Sequence, residues 1–435
     1  MATAGDGDVI IVGGGLAGLA TATYLARAGR SVQLFEKSRA LGGRARTQSK
    51  GGFHFNVGPH ALYRNGHGIA VLEELGASFS GGPPNAAGGY AVRAGRKHTL
   101  PGGFVSLLTT GLLGLQGKLE TARLLGSLAK MDPAPLRQVS VRQWLDRTVR
   151  QPSVVGLLEA LIRVSTYAND PERQSAATAL AQVQMALAGG VLYLDGGWQT
   201  LVDGLHRAAE AAGVRIIGEA RVAAVEHDGT ARAVRLADGT RHPAAAIVIA
   251  AGPNEAAALV AGDHTALHRW AREAVPVKAA CLDVGLRRLP QPRALFALGI
   301  DQPLYLSVHS AVAQLAPQHG ATIHVAKYLP TEASDDPTVN RQQLEGLLDL
   351  VQPGWREVVV DQRFLPSLTV YGALATASAG GTAGRPGPAV PDIRNLYVVG
   401  DWVGAEGLLA DASLASAKQA ARLIAQKPAA CAAAA

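Results

Sequence analysis

The sequence predicts an α/β fold in which a parallel sheet is built from separate parts of the chain, with an α+β unit inserted between them. Three observations predict this fold. A strand pattern at Val9–Val12 is followed by a glycine-rich turn and an apolar helix pattern. A second strand pattern at 31–36 ends in an acid, and another strand, glycine turn and helix recur at 396–424. Short, continuously apolar strands alternating with helices are typical of a parallel sheet that is covered on both faces.

The first turn of the chain has the spacing of a dinucleotide-binding turn. Gly13 permits a sharp bend after the strand, Gly15 lets a pyrophosphate approach the backbone, and Gly18 lets the helix pack close to the strand. The N–H groups at the start of that helix favour phosphate. Glu36 ends the second strand, where a carboxylate can accept hydrogen bonds from ribose hydroxyls. Its charge would repel a 2′-phosphate, which argues against NADP.

The next segments indicate which dinucleotide is bound. Segment 41–47 contains Gly43 and Arg44 in a Gly-Gly-Arg pattern, and segment 55–60 ends in Gly-Pro-His. Together with the first turn, they resemble the flavin-containing amine oxidoreductase superfamily, which includes monoamine oxidases, protoporphyrinogen oxidases and phytoene desaturases. The resemblance implies FAD, with the Gly-Gly-Arg segment around its pyrophosphate and the Gly-Pro-His segment near the isoalloxazine ring. Asn56 departs from the pattern, because the protoporphyrinogen oxidases and desaturases often have Asp there.

The C-terminal strand and turn at 395–402 resemble the second flavin signature of the same superfamily. There the acid of a Gly-Asp pair, here Asp401, bonds the ribityl chain or a phosphate-side hydroxyl. The start of the following helix, around Ala412 and Ser413, is expected to direct N–H groups at the pyrimidine edge of the flavin. Asp411 or Ser413 is predicted to cap this helix.

A third patch lies in the middle of the chain. A β-meander with Asp-Gly turns begins near Val222, and a buried strand pattern at 246–251 ends at Gly252. In the superfamily the first valine of the meander holds the adenine. No cysteine lies where covalently flavinylated relatives attach FAD, so the resemblance implies non-covalent binding. The cofactor contacts implied by the resemblance are Gly13, Gly15, Leu16, Ala17, Gly18, Glu36, Lys37, Gly43, Arg44, Gly58, Pro59, His60, Val222, Gly252, Gly400, Asp401, Ala412 and Ser413.

These motifs divide the chain into two discontinuous parts. Residues 1–64, 196–255 and 366–435 are expected to form a Rossmann-type FAD-binding domain. Residues 65–195 and 256–365 are expected to form the α+β substrate-binding domain between them.

The candidate catalytic residues are less clearly marked than the cofactor contacts. Amine oxidases use a lysine that acts through water at flavin N5, and the resemblance makes Lys327 the preferred candidate, with Lys278 second. The alternative for either lysine is an exposed or salt-bridged position on a strand. Tyr371 and Trp402 either face the flavin ring or pack in the core.

Composition narrows the remaining classes. The formal net charge of +7 is spread along the chain without a dense basic tract, so no nucleic-acid groove is indicated. The two cysteines, Cys281 and Cys431, exclude a disulfide framework and a cysteine-rich metal site, and no other spacing predicts a metal site. Cys281 is interpreted as a small core residue.

The longest uncharged runs are interrupted by polar residues and glycine, which predicts a cytoplasmic protein. The apolar segment 104–115 is either a core or lid helix or a peripheral membrane contact.

The leading functional prediction is an FAD-dependent oxidoreductase that transfers hydride from a C–H group of a largely apolar small molecule to flavin N5, as in the desaturases. The alternatives are an amine or amino-acid oxidase, a redox-neutral flavin-dependent isomerase and a non-catalytic lipid-escort protein on the same fold. The intact glycine and acid motifs argue against the escort protein, which would not need the dinucleotide contacts. Oxygen, a quinone and a partner reductase are all compatible electron acceptors.

Overall fold

The structure, a computed structural model, describes residues 8–84, 88–262, 265–332 and 336–427; Cys431 and the rest of 428–435 lie outside the described residues. The strands, in chain order, are β1 Val9–Val12, β2 Val32–Phe35, β3 Thr47–Lys50, β4 Phe53–Asn56, β5 Leu62–Tyr63, β6 Gly81–Gly82, β7 Tyr90–Arg93, β8 Arg96–Thr99, β9 Val191–Leu194, β10 Arg215–Ile217, β11 Val222–His227, β12 Ala231–Leu236, β13 Arg241–Pro243, β14 Ala246–Ile249, β15 Val277–Leu286, β16 Phe296–Gly299, β17 Leu304–Val308, β18 Ala321–Tyr328, β19 Val359–Tyr371 and β20 Leu396–Val398.

The helices follow the same order along the chain. They are α1 Leu16–Arg27, α2 His67–Leu75, α3 Phe104–Thr109, α4 Leu115–Leu128, α5 Val141–Thr148, α6 Pro152–Thr166, α7 Ala176–Gly189, α8 Gln199–Ala211, α9 Pro253–Ala258, α10 Ala266–Glu273, α11 Pro337–Val351, α12 Trp355–Val358 and α13 Leu409–Ala425.

A five-stranded parallel sheet joins both ends of the described chain to its middle. Its strand order is β10-β2-β1-β14-β20, and each neighbouring pair is parallel. Every residue of β1, β2, β14 and β20 is buried, as expected for strands covered on both faces. The predicted α/β fold, with a parallel sheet assembled from distant segments, is therefore confirmed.

The two faces of this sheet are covered by different layers. Val9 and Ile11 point into a core shared with helices α1, α2, α8 and α13. Ile10 and Val12 point the other way, into a core shared with the meander β11-β12-β13 and helices α9 and α10. The alternation along β1 therefore fills both cores, which explains why its residues are continuously apolar.

A seven-stranded mixed sheet with the order β19-β15-β18-β17-β16-β7-β8 forms the second body of the molecule. On one face, Cys281 and Ala326 belong to a core built with helices α4 to α7. On the opposite face, Leu282 and Val325 belong to a core built with α11 and α12. The site described below lies on the first of these faces, which we call the Cys281 face.

Both inserted segments contribute to this second sheet. Strands β7 and β8 come from the first insert, and β7 pairs with β16 from the second. Helix α2 packs beside α1 and α13, although the domain boundary predicted at residue 64 assigns it to the substrate-binding part. Among the described residues, no helix is long and apolar enough to span a bilayer.

Candidate active site

The glycine-rich turn after β1 has no room for side chains. Gly13 has a φ of 109°, and a Cβ atom there would lie 2.6 Å from the carbonyl oxygen of Ala250. A Cβ atom on Gly18 would lie 1.9 Å from the carbonyl oxygen of Gly13. Helix α1 can therefore begin immediately after the turn, with Leu16 and Ala17 buried in its first turn. The first N–H groups of a helix have no acceptor within it, so this end of α1 can bind an anion.

Glu36 lies beside the same turn. Its Oε2 accepts a hydrogen bond from the Gly14 N–H at 2.7 Å, and its Oε1 accepts one from the Ser38 N–H at 2.9 Å. The side chain is buried. These two donors fix the carboxylate where β1 and β2 end, and its remaining lone pairs can accept hydrogen bonds from ligand hydroxyls.

Arg44 connects the N-terminal loop to the C-terminal part of the chain. Its Nη1 lies 2.5 Å from Asp401 Oδ2 and donates to the carbonyl oxygen of Val370 at 2.9 Å. Asp401 is buried, and its Oδ1 accepts a hydrogen bond from the Gly372 N–H at 3.0 Å. Gly43 and Arg44 belong to a short 3₁₀ turn that packs on the first glycine turn. Residues distant in sequence thus meet around one carboxylate.

The parallel strands bring the other predicted cofactor residues to one edge. Because β1, β2, β14 and β20 run in the same direction, Gly13, Glu36, Gly252 and Gly400 all follow the C-terminal ends of these strands. Ligands of open α/β sheets bind along such an edge. Val222 is buried at the start of β11, Ala412 is buried in the first turn of α13, and Lys37 is exposed.

The start of α13 differs from the prediction. Leu408 is the N-cap residue, and neither Asp411 nor Ser413 caps the helix. Instead, Asp411 lies inside the first turn and its Oδ1 accepts a hydrogen bond from the Gly68 N–H at 2.7 Å, while the Ser413 hydroxyl donates to the Leu409 carbonyl. Burial raises the pKa of Asp411 to about 6.

The loop at 58–60 lies against the second sheet. Gly58 has a φ of 76°, and a Cβ atom there would lie 2.8 Å from Leu368 and 3.1 Å from the Cys281 sulfur. The His60 Nδ1 lies 3.0 Å from the Gly58 carbonyl oxygen, and its ring packs edge-on against Trp198 at 4.7 Å. Burial lowers the pKa of His60 to about 4, so its imidazole is neutral at neutral pH.

Buried polar atoms without a protein partner test whether these residues suit a flavin dinucleotide. They include Nε and Nη2 of Arg385, Nε1 of Trp198 and Oδ2 of Asp411. The Arg385 Nη1 donates to the Gly407 carbonyl oxygen, which places the guanidinium just before α13. Buried donors normally have acceptors. Together with the glycine turn and Glu36, they fit a ligand that carries hydroxyls, phosphates and ring carbonyls. Sequence reasoning missed Arg385, because no local pattern marks it.

The two candidate lysines lie on the face of the seven-stranded sheet that is opposite to Cys281. Lys327 alternates with Ala326 and Tyr328, and its Nζ donates to Asn340 Oδ1 on α11 at 2.7 Å. Lys278 shares that side by the same alternation along β15 and is exposed. The sheet itself therefore separates both lysines from the Gly58 loop.

Tyr371 and Trp402 belong to different hydrophobic cores, although the backbone next to Tyr371 approaches Trp402: a Cβ atom on Gly372 would lie 3.4 Å from the indole ring. Tyr371 is buried at the end of β19 in a small core with Ala168 and Leu374, and burial raises the pKa of its hydroxyl. Trp402 packs against Trp270 at 6.1 Å. Its Nε1 donates to a backbone carbonyl at 2.9 Å, an arrangement typical of a core residue. Of the three predicted catalytic residues, Lys327 lies on the α11 side of the second sheet, while Tyr371 and Trp402 pack in two separate cores.

A buried ionic network on the Cys281 face was missed by sequence reasoning. The His324 Nδ1 lies 2.6 Å from Asp283 Oδ1, and the Arg363 guanidinium lies 2.6 Å from Asp283 Oδ2. Asp283 and His324 are both fully buried and pair directly across β15 and β18. The sequence does show a polar residue among apolar ones in each strand, Asp283 in β15 and His324 in β18. No sequence pattern, however, indicates that these two strands are neighbours.

A second set of polar groups adjoins this network. The Tyr193 hydroxyl lies 3.0 Å from both the Tyr305 hydroxyl and the Ser307 Oγ. The His309 ring stacks on Tyr193 with a centroid distance of 3.6 Å, and it meets the His324 ring edge-on at 4.4 Å. The Cys281 face therefore combines apolar side chains with a compact polar region.

Comparisons with known proteins agree with this geometry. A family model described as flavin-containing amine oxidoreductase matches residues 16–278. The 4,4′-diapolycopene oxygenase of Methylomonas sp is 27% identical over 281 residues, covering 55% of this chain and 54% of the relative. The carotenoid 3,4-desaturase of Haloarcula japonica is 54% identical over 52 residues, which cover 12% of this chain and 10% of the relative. At best, this chain therefore spans about half the length of these two relatives.

A solved structure extends the comparison over nearly the whole chain. An oxidoreductase from Methanosarcina mazei superposes with a TM-score of 0.75 at 19% identity, covering 96% of this chain and all of that one. At this identity the likeness supports the fold alone.

Proposed function

Since the chain belongs to the family of flavin-containing amine oxidoreductases, we propose that it binds FAD non-covalently and oxidises a largely apolar small molecule. The observation that carries the proposal is the contact between Arg44 and Asp401. It closes one continuous site from the N-terminal glycine turn, the C-terminal Gly-Asp turn and the end of β19. Such an extended site at the C-terminal edge of a parallel sheet suits a dinucleotide better than a single small ligand.

The chain offers a distinct contact for each part of FAD. The N–H groups at the start of α1 would bind the pyrophosphate, and Glu36 would accept hydrogen bonds from the adenosine ribose. Val222 would contact the adenine, and Asp401 the ribityl chain. The first turn of α13 would direct its N–H groups at the pyrimidine edge. When bound, FAD supplies hydride acceptance at flavin N5.

We place the substrate side of the site beside the contact between the Gly58 loop and the Cys281 face. Gly58 approaches Cys281 and Leu368 closely, and Tyr328 lies on the same face of the sheet. Burial raises the pKa of the Cys281 thiol, which therefore stays neutral. These side chains would exclude water and position an apolar substrate by shape. Hydride transfer between carbon and nitrogen requires such positioning more than it requires a charged side chain.

An exposed apolar surface on α3 and α4 supports a peripheral membrane contact. Phe104 is 76% exposed, Leu115 is 75% exposed and Leu119 is 65% exposed. Lys118 and Arg123 follow on α4. Adjacent exposed apolar side chains and basic residues suit the surface of an anionic bilayer.

Flotation with vesicles rich in phosphatidylserine tests this contact. The double variant Phe104→Ser/Leu115→Ser should lose it, and Leu187→Ser, on a different helix, should retain it.

The proposed function is tested by the absorbance of the purified protein. We expect a flavin spectrum and release of intact FAD on denaturation, which distinguishes non-covalent from covalent binding. Anaerobic bleaching by polyenes, with no response to primary amines, would support an apolar substrate. Bleaching by amines alone would support the amine-oxidase alternative. A protein that contains no flavin and takes up none would overturn the proposal.

A further inference from the structure

We propose that His324 and His309 form a polar pocket that binds one uncharged hydrogen-bond donor of the substrate, either a hydroxyl or an unprotonated amine. This inference rests on the proposed function, because it places the substrate on the Cys281 face. It also narrows the substrate class to an apolar molecule with a polar end.

The pocket lies on the same side of the sheet as the Gly58 loop. His324 lies two residues before Ala326 on β18, so the two side chains are on the same face, and Ala326 shares a core with Cys281. His60 follows Gly58, which approaches the Cys281 sulfur, and the Arg363 guanidinium that contacts Asp283 also donates to the Asn56 carbonyl oxygen just before this loop. Three histidines from the loop, from β18 and from the turn after β17 therefore converge between the two bodies of the molecule.

Two ring nitrogens in this cluster have no partner. His324 Nε2 and His309 Nδ1 are buried and make no hydrogen bond within the protein. The other ring nitrogen of each residue is engaged: His324 Nδ1 by Asp283, and His309 Nε2 by the Tyr305 hydroxyl at 3.2 Å. Leaving a buried polar atom unpaired is unfavourable by about 1–3 kcal/mol, so two such atoms on touching rings indicate a site for a polar group.

The chemistry of the network defines that group. An ionised Asp283 can only accept, so His324 donates to it from Nδ1. In its uncharged form the His324 ring then presents a lone pair at Nε2. Arg363 balances the charge of Asp283. Burial lowers the pKa of His309 well below its usual value, which keeps that ring neutral. A pocket in which Arg363 offsets the charge of Asp283 and a ring nitrogen can accept favours an uncharged donor over a carboxylate or an ammonium group.

A metal ion does not account for the cluster. Within the described residues, no group of three or more His, Cys, Asp or Glu side chains is arranged to hold a metal. Both rings also use one nitrogen for hydrogen bonds inside the protein, which leaves one nitrogen on each ring for the ligand.

The test uses three probes that differ only at one end: ethylbenzene, 2-phenylethanol and 2-phenylethylamine. Their dissociation constants are measured by calorimetry on the dithionite-reduced full chain, so that no probe is oxidised. We expect 2-phenylethanol, or the amine at a pH where it is unprotonated, to bind about tenfold more tightly than ethylbenzene. Preference for the alcohol identifies a hydroxyl as the bound group, and preference for the amine identifies an amine. Equal binding of all three probes overturns the proposal.

Two variants and a control locate the preference. His324→Phe and His309→Phe each keep a planar ring and should reduce the preference to within twofold, while the affinity for ethylbenzene stays unchanged. Tyr397→Phe removes another buried hydroxyl without a partner, on β20, and should leave the preference intact. If one histidine variant still prefers the polar probe over ethylbenzene, that histidine does not bind the polar group. If both variants keep the preference, the proposed pocket is wrong. If His324→Phe does not fold, His309→Phe and the probe series still decide the question.

Failure of this proposal is distinguishable from failure of the proposed function. Calorimetry does not depend on flavin, so a protein purified without flavin refutes the proposed function while the probe preference can still be measured. A flavin-loaded protein that binds all three probes equally refutes the polar pocket alone.

Discussion

The two sheets of the molecule position their functional groups in different ways. The five-stranded parallel sheet uses backbone: glycines without room for a Cβ atom, helix ends and one carboxylate per turn. The seven-stranded sheet uses side chains from three different strands, Asp283, His324 and Arg363, which meet only through strand pairing. The first arrangement tolerates almost no change of residue type, and the second can change with its ligand. This difference suits a constant cofactor and a variable substrate.

Gly18→Ala should have the largest effect, because it tests the backbone constraint in the first sheet. The new Cβ atom would lie 1.9 Å from the Gly13 carbonyl oxygen, so the helix or the turn must move. We expect the free energy of unfolding to fall by about 4 kcal/mol or more, with loss of flavin. Gly126→Ala is the matched control on α4, where a Cβ atom meets nothing within 4 Å, and should gain up to about 1 kcal/mol. Equal stability of the two variants, measured by urea denaturation, would contradict the steric argument.

Asp283→Asn tests the side-chain network of the second sheet. The substitution leaves Arg363 without its anionic partner in a buried site, which should lower the free energy of unfolding by about 3 kcal/mol. Asp361→Asn is the control on the neighbouring strand. Its ion pair with Lys50 is solvent-exposed, so the change should stay below about 1 kcal/mol. Similar losses in chemical denaturation would mean that burial of the network contributes nothing.

Asp411→Asn tests how burial at the cofactor edge affects stability as the pH changes. A carboxyl whose pKa is raised to about 6 in the folded protein binds protons more tightly there than in the unfolded chain, where its pKa is 3.8. Ionisation of Asp411 is therefore less favourable in the folded protein, and the free energy of unfolding falls by about 2–3 kcal/mol in all as the pH rises from about 4 to 6. The Asn variant should be more stable than the unchanged protein above pH 6 and equal to it below pH 4. If the free energy of unfolding of the two proteins changes in the same way between pH 4 and pH 6, the pKa of Asp411 is not raised by burial.

Glu36→Ala tests the ribose contact. The variant should bind FAD more weakly by about 1.5–3 kcal/mol, or roughly tenfold to a hundredfold, because buried hydroxyls lose a charged acceptor. Titration of the flavin-free protein with FAD measures this change. Glu73→Ala, at an exposed position of α2, is the control and should bind FAD normally. Unchanged affinity in the Glu36 variant would remove Glu36 from the site.

Lys327→Met should have the smallest effect on catalysis. Its side chain points toward α11, so the rate of flavin reduction by substrate should stay within about twofold, while loss of the Asn340 hydrogen bond lowers stability by about 1 kcal/mol. Stopped-flow reduction separates the two effects. A fall in rate of a hundredfold or more would restore Lys327 as the catalytic lysine.

The sequence predicted those features in which local backbone geometry determines residue type. Gly18 and Glu36 belong to one continuous unit of strand, turn, helix and second strand, so their spacing was sufficient. Period-two alternation predicted a strand around Lys327, but it does not say which face meets the Gly58 loop, and the lysine lies on the opposite face, against α11. Asp283 and His324 are adjacent only because β15 and β18 pair in one register, which is information carried by the tertiary fold. The glycine turn and the position of Glu36 were therefore predictable from the sequence, and the pairing of Asp283 with His324 was not.

The edge position of β20 has a consequence for synthesis of the protein. On the ribosome, β1, β2, β10 and β14 all emerge before residues 396–398, so β14 stays unpaired along one side until β20 has been made. An open strand edge pairs readily with other chains. Arrival of β20 covers this edge, and the same segment brings Asp401 to Arg44. The Arg44–Asp401 contact therefore forms only after nearly all of the chain has been made, and we expect nascent chains stalled before β20 to expose the edge of β14.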